Sequence, residues 1–89
     1  MPRAEVNWKR RSPDGEPVQV RAHQVGDQWH FFVRGARYEQ WQPFDAPPLD
    51  DWLELLDGLR RREGRGFVRA ADVTRLERLI RERFPDAEV

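Results

Sequence analysis

The chain has two histidines, His23 and His30, and they flank a Val-Gly-Asp-Gln turn in the stretch AHQVGDQWHFF. Two imidazoles at this spacing can ligate a metal, respond to pH as a pair that resists double protonation, or form part of a binding face. A metal needs at least a third ligand, and Glu39, diagonal to His30 in the expected register, is the available carboxylate. No recognised ligand spacing accompanies the three residues, so neither a metal nor any other cofactor is expected.

The spacing has a simpler origin. Gly26-Asp27 is a two-residue hairpin signal, and such a turn pairs Val25 with Gln28. The register that follows sets Gln24 opposite Trp29, His23 opposite His30, Arg21 opposite Phe32 and Gln19 opposite Arg34. If Gly35-Ala36 is a second two-residue turn, Arg34 pairs with Arg37, Phe32 with Glu39 and His30 with Trp41. One side of a sheet then carries Arg21, His23, His30, Phe32, Arg34, Arg37 and Trp41. Aromatic rings among arginines can stack unpaired bases while the guanidinium groups meet phosphates, and they are also the residue types that dominate protein interfaces. The plainer reading is a solvated face whose rings are covered by neighbouring chain.

A second basic stretch, RRREGRGFVR, holds Arg60, Arg61, Arg62, Arg65 and Arg69. Guanidinium and backbone N–H groups there could hold a phosphate or an acidic partner surface. Charge at the end of a helix, followed by a turn, explains the same residues. The Gly64-Arg65-Gly66 sequence is too short for a phosphate-binding loop and no strand precedes it. Phe67 and Val68 read as core residues.

Catalytic groups are scarce. There is one serine (Ser12), one threonine (Thr74), one lysine (Lys9), one tyrosine (Tyr38) and no cysteine. None lies in a context that would activate it, and Asp50, Asp51, Glu54 and Asp57 read as the first turn and exposed face of a helix. No enzymatic activity is expected.

The elements that must position these residues fall into two halves around the Pro-rich stretch 43–48. Before it, apolar residues alternate. Glu5 to Arg11 and Val18 to Val25 read as strands joined by a Pro-Asp-Gly turn, Trp29, Phe31 and Val33 continue the apolar face in a third, and Arg37 to Gln42 supplies a fourth. After the stretch the spacing is helical. Leu49, Trp52, Leu53, Leu56 and Leu59 share one face of a helix over 49–63, which Pro48 starts and Gly64 stops. Asp72 caps a second helix over 72–84 with Val73, Leu76, Leu79, Ile80 and Phe84 as its stripe and Pro85 at its end. The expected fold is α+β: an antiparallel three- to four-stranded meander over residues 4–42, then two amphipathic helices packed on one sheet face as a two-layer sandwich. At 89 residues, one domain is expected over 1–89.

Composition narrows the function. Sixteen basic residues balance sixteen acidic ones, which argues against a protein built mainly to neutralise duplex phosphates. The balance is uneven along the chain, however: residues 45–57 hold five acids and no base, while 58–69 hold five arginines against Glu63. The N-terminal residues carry charge without an apolar run after it, and no window approaches the ~18 apolar residues of a spanning helix. A cytoplasmic location away from membranes is therefore expected, and the lack of cysteine suits it. Four tryptophans, five phenylalanines and one tyrosine exceed what one buried sheet face requires. The leading expectation is a non-catalytic module acting through protein contacts, as a homodimer through the open sheet face or through the edge of Glu5 to Arg11 in its simplest form. A single-stranded nucleic-acid binder using the same face is the second reading, although the ribonucleoprotein signature of the RNA-recognition sheets is absent. A small regulatory subunit of a larger enzyme is the third.

Overall fold

A computed structural model describes residues 5–35 and 40–89. The fold is α+β: a four-stranded antiparallel sheet followed by two helices. The chain divides into two compact units, Met1–Pro47 and Pro48–Val89, and the division falls inside the Pro-rich stretch.

In the first unit the strands are β1 (Glu5–Arg11), β2 (Pro17–Val25), β3 (Gln28–Gly35) and β4 (Gln42–Pro43), in sheet order β1-β2-β3-β4. The first connection is tight because Gly15 donates to the Ser12 carbonyl at 2.8 Å and takes φ 85°, where a side chain would be strained. Gly26 takes the left-handed φ of 61° in the second, and Val25 pairs directly with Gln28. Every β2–β3 pair expected from a two-residue turn is present: Gln24 with Trp29, His23 with His30, Arg21 with Phe32, Gln19 with Arg34. Because side chains alternate along a strand, Val6, Val20, Ala22 and Phe31 share one face and all are buried. Trp8, opposite Val20, belongs to that face and meets Phe31 edge-on, with centroids 6.1 Å apart.

The fourth strand differs from expectation. It spans two residues, with Phe32 opposite Pro43 and Val33 opposite Gln42. The expected pairing of His30 with Trp41 is therefore displaced by four positions. Gly35 continues β3 rather than opening a two-residue turn. Arg37 and Glu39, and hence their expected pairings, lie outside the described residues. Pro43 has no N–H to donate, so it suits an edge strand, and Phe44 extends the pairing by donating to the Phe31 carbonyl at 2.8 Å.

The second unit holds α1 (Leu49–Gly64) and α2 (Ala70–Arg83). Pro48 stands at the N-cap of α1 in extended conformation, just outside the first turn. The buried stripe of α1 runs through Trp52, Leu55, Leu56 and Leu59, so Leu55 replaces the expected Leu53, which is exposed. Both choices satisfy an i, i+3, i+4, i+7 spacing, and packing selects the second. Asp51 is fully buried rather than on the exposed face. Its place in the first turn, where the helix dipole is positive, favours a carboxylate there. In α2, Val73, Leu76 and Ile80 are buried and Leu79 is half-buried, as is Phe84, the C-cap just beyond its last turn. Asp72 is not the cap: Arg69 is the N-cap, and Asp72 sits one turn in and pairs with Arg75 at 3.3 Å.

The end of α1 is also one step later than expected. Gly64 is its last residue, Arg65 the C-cap, and Gly66 takes the left-handed φ of 82°. Gly66 N–H donates to the Glu63 carbonyl and Phe67 N–H to the Arg62 carbonyl, both at 2.9 Å, which is the Schellman pattern. Among the described residues no helix is long and apolar enough to cross a membrane.

Replacing Gly66 by alanine meets no neighbour within 4 Å, so its cost is conformational and should be about 1 kcal/mol. Leu55→Ala should cost about 2–5 kcal/mol and Leu53→Ala no more than ~0.5 kcal/mol. Urea unfolding followed by the helical circular dichroism signal checks all three.

Candidate functional site

The sheet face opposite Val20 and Phe31 carries Asn7 and Lys9 from β1, Gln19, Arg21 and His23 from β2, and His30, Phe32 and Arg34 from β3. Trp41 joins them from the residue before β4. With Val33 opposite Gln42, the next step along both chains sets Trp41 beside Arg34 rather than His30. The displacement by four positions is even, so Trp41 keeps the expected face while exchanging its neighbour.

Two guanidinium groups lie over the Trp41 ring, Arg21 at 4.3 Å and Arg34 at 4.5 Å from its centroid. Each is held from the side by a cross-strand partner. Arg21 Nε is 2.9 Å from Glu5 Oε1 and donates to Asn7 Oδ1 at 3.3 Å. Arg34 Nε donates to Gln19 Oε1 at 2.7 Å. Such contacts fix guanidinium planes that would otherwise sample many rotamers, and the ring quadrupole attracts both cations.

Beside this stack lies an open groove of about 250 Å³, lined by Asn7, Lys9, Gln19, Arg21, Arg34 and Trp41. Lys9, Arg21 and Arg34 bring three positive charges, and Glu5 offsets one of them through Arg21. The groove therefore favours an anion. Outward N–H groups of the two arginines are suited to carboxylate or phosphate oxygens.

The other expected site residues sit elsewhere. His23 and His30 face one another one row away from the groove; His23 is half-buried and His30 exposed. Among the described residues no group of three His, Cys, Asp or Glu side chains could hold a metal ion. Phe32 is half-buried beside Pro43. Asn7 and Lys9 were not singled out by sequence, although their alternation opposite Arg21 and Gln19 would have found them had the register of the first hairpin been known; Gln19 was expected opposite Arg34, where it stands, but not as part of the site.

The five arginines of 60–69 do not form one cluster. Arg60 Nη2 reaches Glu77 Oε2 at 2.7 Å and ties α1 to α2, while Arg61 pairs with Asp57 at 3.2 Å along α1. Arg65 and Arg69 cap the two helix ends that face the connecting loop. Phe67, expected in the core, is 77% exposed. Ser12 is structural, since its Oγ accepts from the Glu16 N–H at 3.2 Å.

No family model, curated protein or solved structure matches the chain.

If the stack stabilises the sheet, Trp41→Ala should lower stability by about 1–2 kcal/mol, from two cation–π contacts of ~0.5–1 kcal/mol each. Urea unfolding of the Trp41→Ala and Arg34→Ala variants, singly and together, measures the coupling. A combined loss equal to the sum of the single losses would mean that ring and guanidinium do not interact.

Proposed function

We propose that the chain is a small non-catalytic binding module that takes an acidic segment of a protein partner on the open face of its sheet. The observation that carries this reading is the Trp41 ring held under Arg21 and Arg34 at the edge of a positively lined groove. An incoming carboxylate can meet the outward edges of both guanidinium groups without disturbing the stack, in the bidentate manner that arginine favours. A nucleic-acid base would have to displace a guanidinium to stack where Arg21 and Arg34 already lie over the ring. A net charge of zero supports the protein partner further, because a polyphosphate gains most from a large excess of positive charge. The absence of a catalytic role is supported by the scarcity of activated nucleophiles and by the structural use of Ser12 in its turn.

The test is an NMR titration of labelled protein with a blocked tetraglutamate peptide and, separately, with a short oligothymidine at low salt. Saturable shifts with the peptide at the Trp41 indole and at Nε of Arg21 and Arg34 are expected, and Arg34→Ala should abolish them. Tighter binding of the oligonucleotide, with a steep salt dependence, would transfer the face to nucleic acid. Silence with both probes would remove the groove as a binding site.

A further inference from the structure

The second unit carries two exposed surfaces of opposite charge, each centred on one exposed apolar side chain. The first is the loop between the helices. Phe67 is 77% exposed there, although two backbone hydrogen bonds and the left-handed Gly66 fix the chain around it. Arg65 and Arg69 flank it, are exposed, and carry no ion pair among the described residues. A solvated aromatic ring on a backbone fixed by hydrogen bonds, between two guanidinium groups without ion pairs, is the composition of an interface anchor.

The second surface is the outer face of the first half of α1. Leu53 is 37% exposed. Asp50, Glu54 and Asp57 lie at i−3, i+1 and i+4 from it, so on a helix they surround it, and all three are exposed. Asp50 and Glu54 carry no ion pair among the described residues, while Asp57 holds Arg61.

The two surfaces complement each other in charge and in their central apolar group, but one copy cannot join them. Eleven residues of helix separate Glu54 from Arg65, about 16 Å along the axis, which exceeds the combined reach of the two side chains. We infer that the loop of one copy docks on the α1 stripe of a second copy, with Phe67 against Leu53 and Arg65 and Arg69 against Asp50 and Glu54. Such a contact is head-to-tail, so it leaves an unused surface at each end and extends to further copies. It is small and ringed by exposed charges, which makes it weak and sensitive to salt, since screening shortens from ~8 Å at physiological ionic strength to about 3 Å at 1 M. The inference is independent of the sheet face.

Sedimentation velocity of the full chain tests it. The weight-average sedimentation coefficient should rise between micromolar and millimolar protein at low salt and return to the monomer value at high salt. F67S should raise the concentration needed at least about tenfold, the loss of one aromatic anchor worth ~1.4 kcal/mol or more. R65E/R69E, which lacks the loop surface, and D50N/L53S/E54Q, which lacks the stripe, should each remain monomeric. Mixed together they should form a dimer and nothing larger, because only one complementary pair of surfaces survives. Trp41→Ala should leave the association unchanged. All altered loop and stripe side chains are exposed, and circular dichroism confirms that each variant folds; R65Q/R69Q replaces the reversal if it does not. A monomer at millimolar concentration in low salt would overturn the inference. So would association indifferent to these variants, or abolished by Trp41→Ala.

Discussion

The two-residue turn at Gly26-Asp27 is the constraint on which the first unit depends. With Val25 tied to Gln28, every later pair along β2 and β3 is fixed, and side-chain alternation then assigns each residue to a face. Because facing residues of an antiparallel pair share a face, a slip of one residue would turn one strand over relative to the other, carrying either Val20 and Ala22 or Phe31 into solvent and burying either Arg21 or Arg34. The hydrophobic cost of exposing those side chains, roughly 1.5–3 kcal/mol for a valine or a phenylalanine, and the cost of desolvating a guanidinium group act together against that slip. The polar face is thus specified by the apolar one. His23 and His30 are neighbours for this reason, whatever use is made of them.

On that polar face the arginines are organised by residues that carry no net charge or that neutralise only part of theirs. Asn7 and Gln19 accept from Arg21 and Arg34 through amide oxygens, and Glu5 is the carboxylate that approaches. Amide acceptors position a guanidinium without cancelling it. Had two carboxylates stood at these positions, the groove would be close to neutral and the arginines would read as ordinary surface pairs. The arrangement keeps positive charge available beside an aromatic ring.

Sequence and structure agree where a local signal has one solution and part where it has several. The hairpin at Gly26 was legible because turn length and alternation dictate the same pairs. The fourth strand was not: Gly35-Ala36 resembles a turn, but strand pairing continues through Gly35, and the length of a connection cannot be read from one glycine. Its even displacement preserved the face of Trp41, so the candidate site survived an incorrect register. In α1, Leu53 and Leu55 both fit a helical stripe, and only packing distinguishes them. Gly64 and Gly66 both fit a helix end; the left-handed φ and the two cap hydrogen bonds identify Gly66. Phe67 was the least legible residue, because hydrophobicity gives no account of a side chain left outside.

A net charge of zero conceals how the charges are used. In the first unit, positive charge gathers around Trp41 through long-range strand pairing, so no window of sequence displays it. In the second, acids precede bases along a single helix, an order that the helix dipole rewards by a few tenths of a kcal/mol to about 1 kcal/mol at each end. That same order sets an acidic surface and a basic one some three turns apart on a rigid rod. Local helix stabilisation and two surfaces of opposite charge thus arise from one arrangement of residues, and the dipole alone does not account for the exposed Leu53 and Phe67 at their centres.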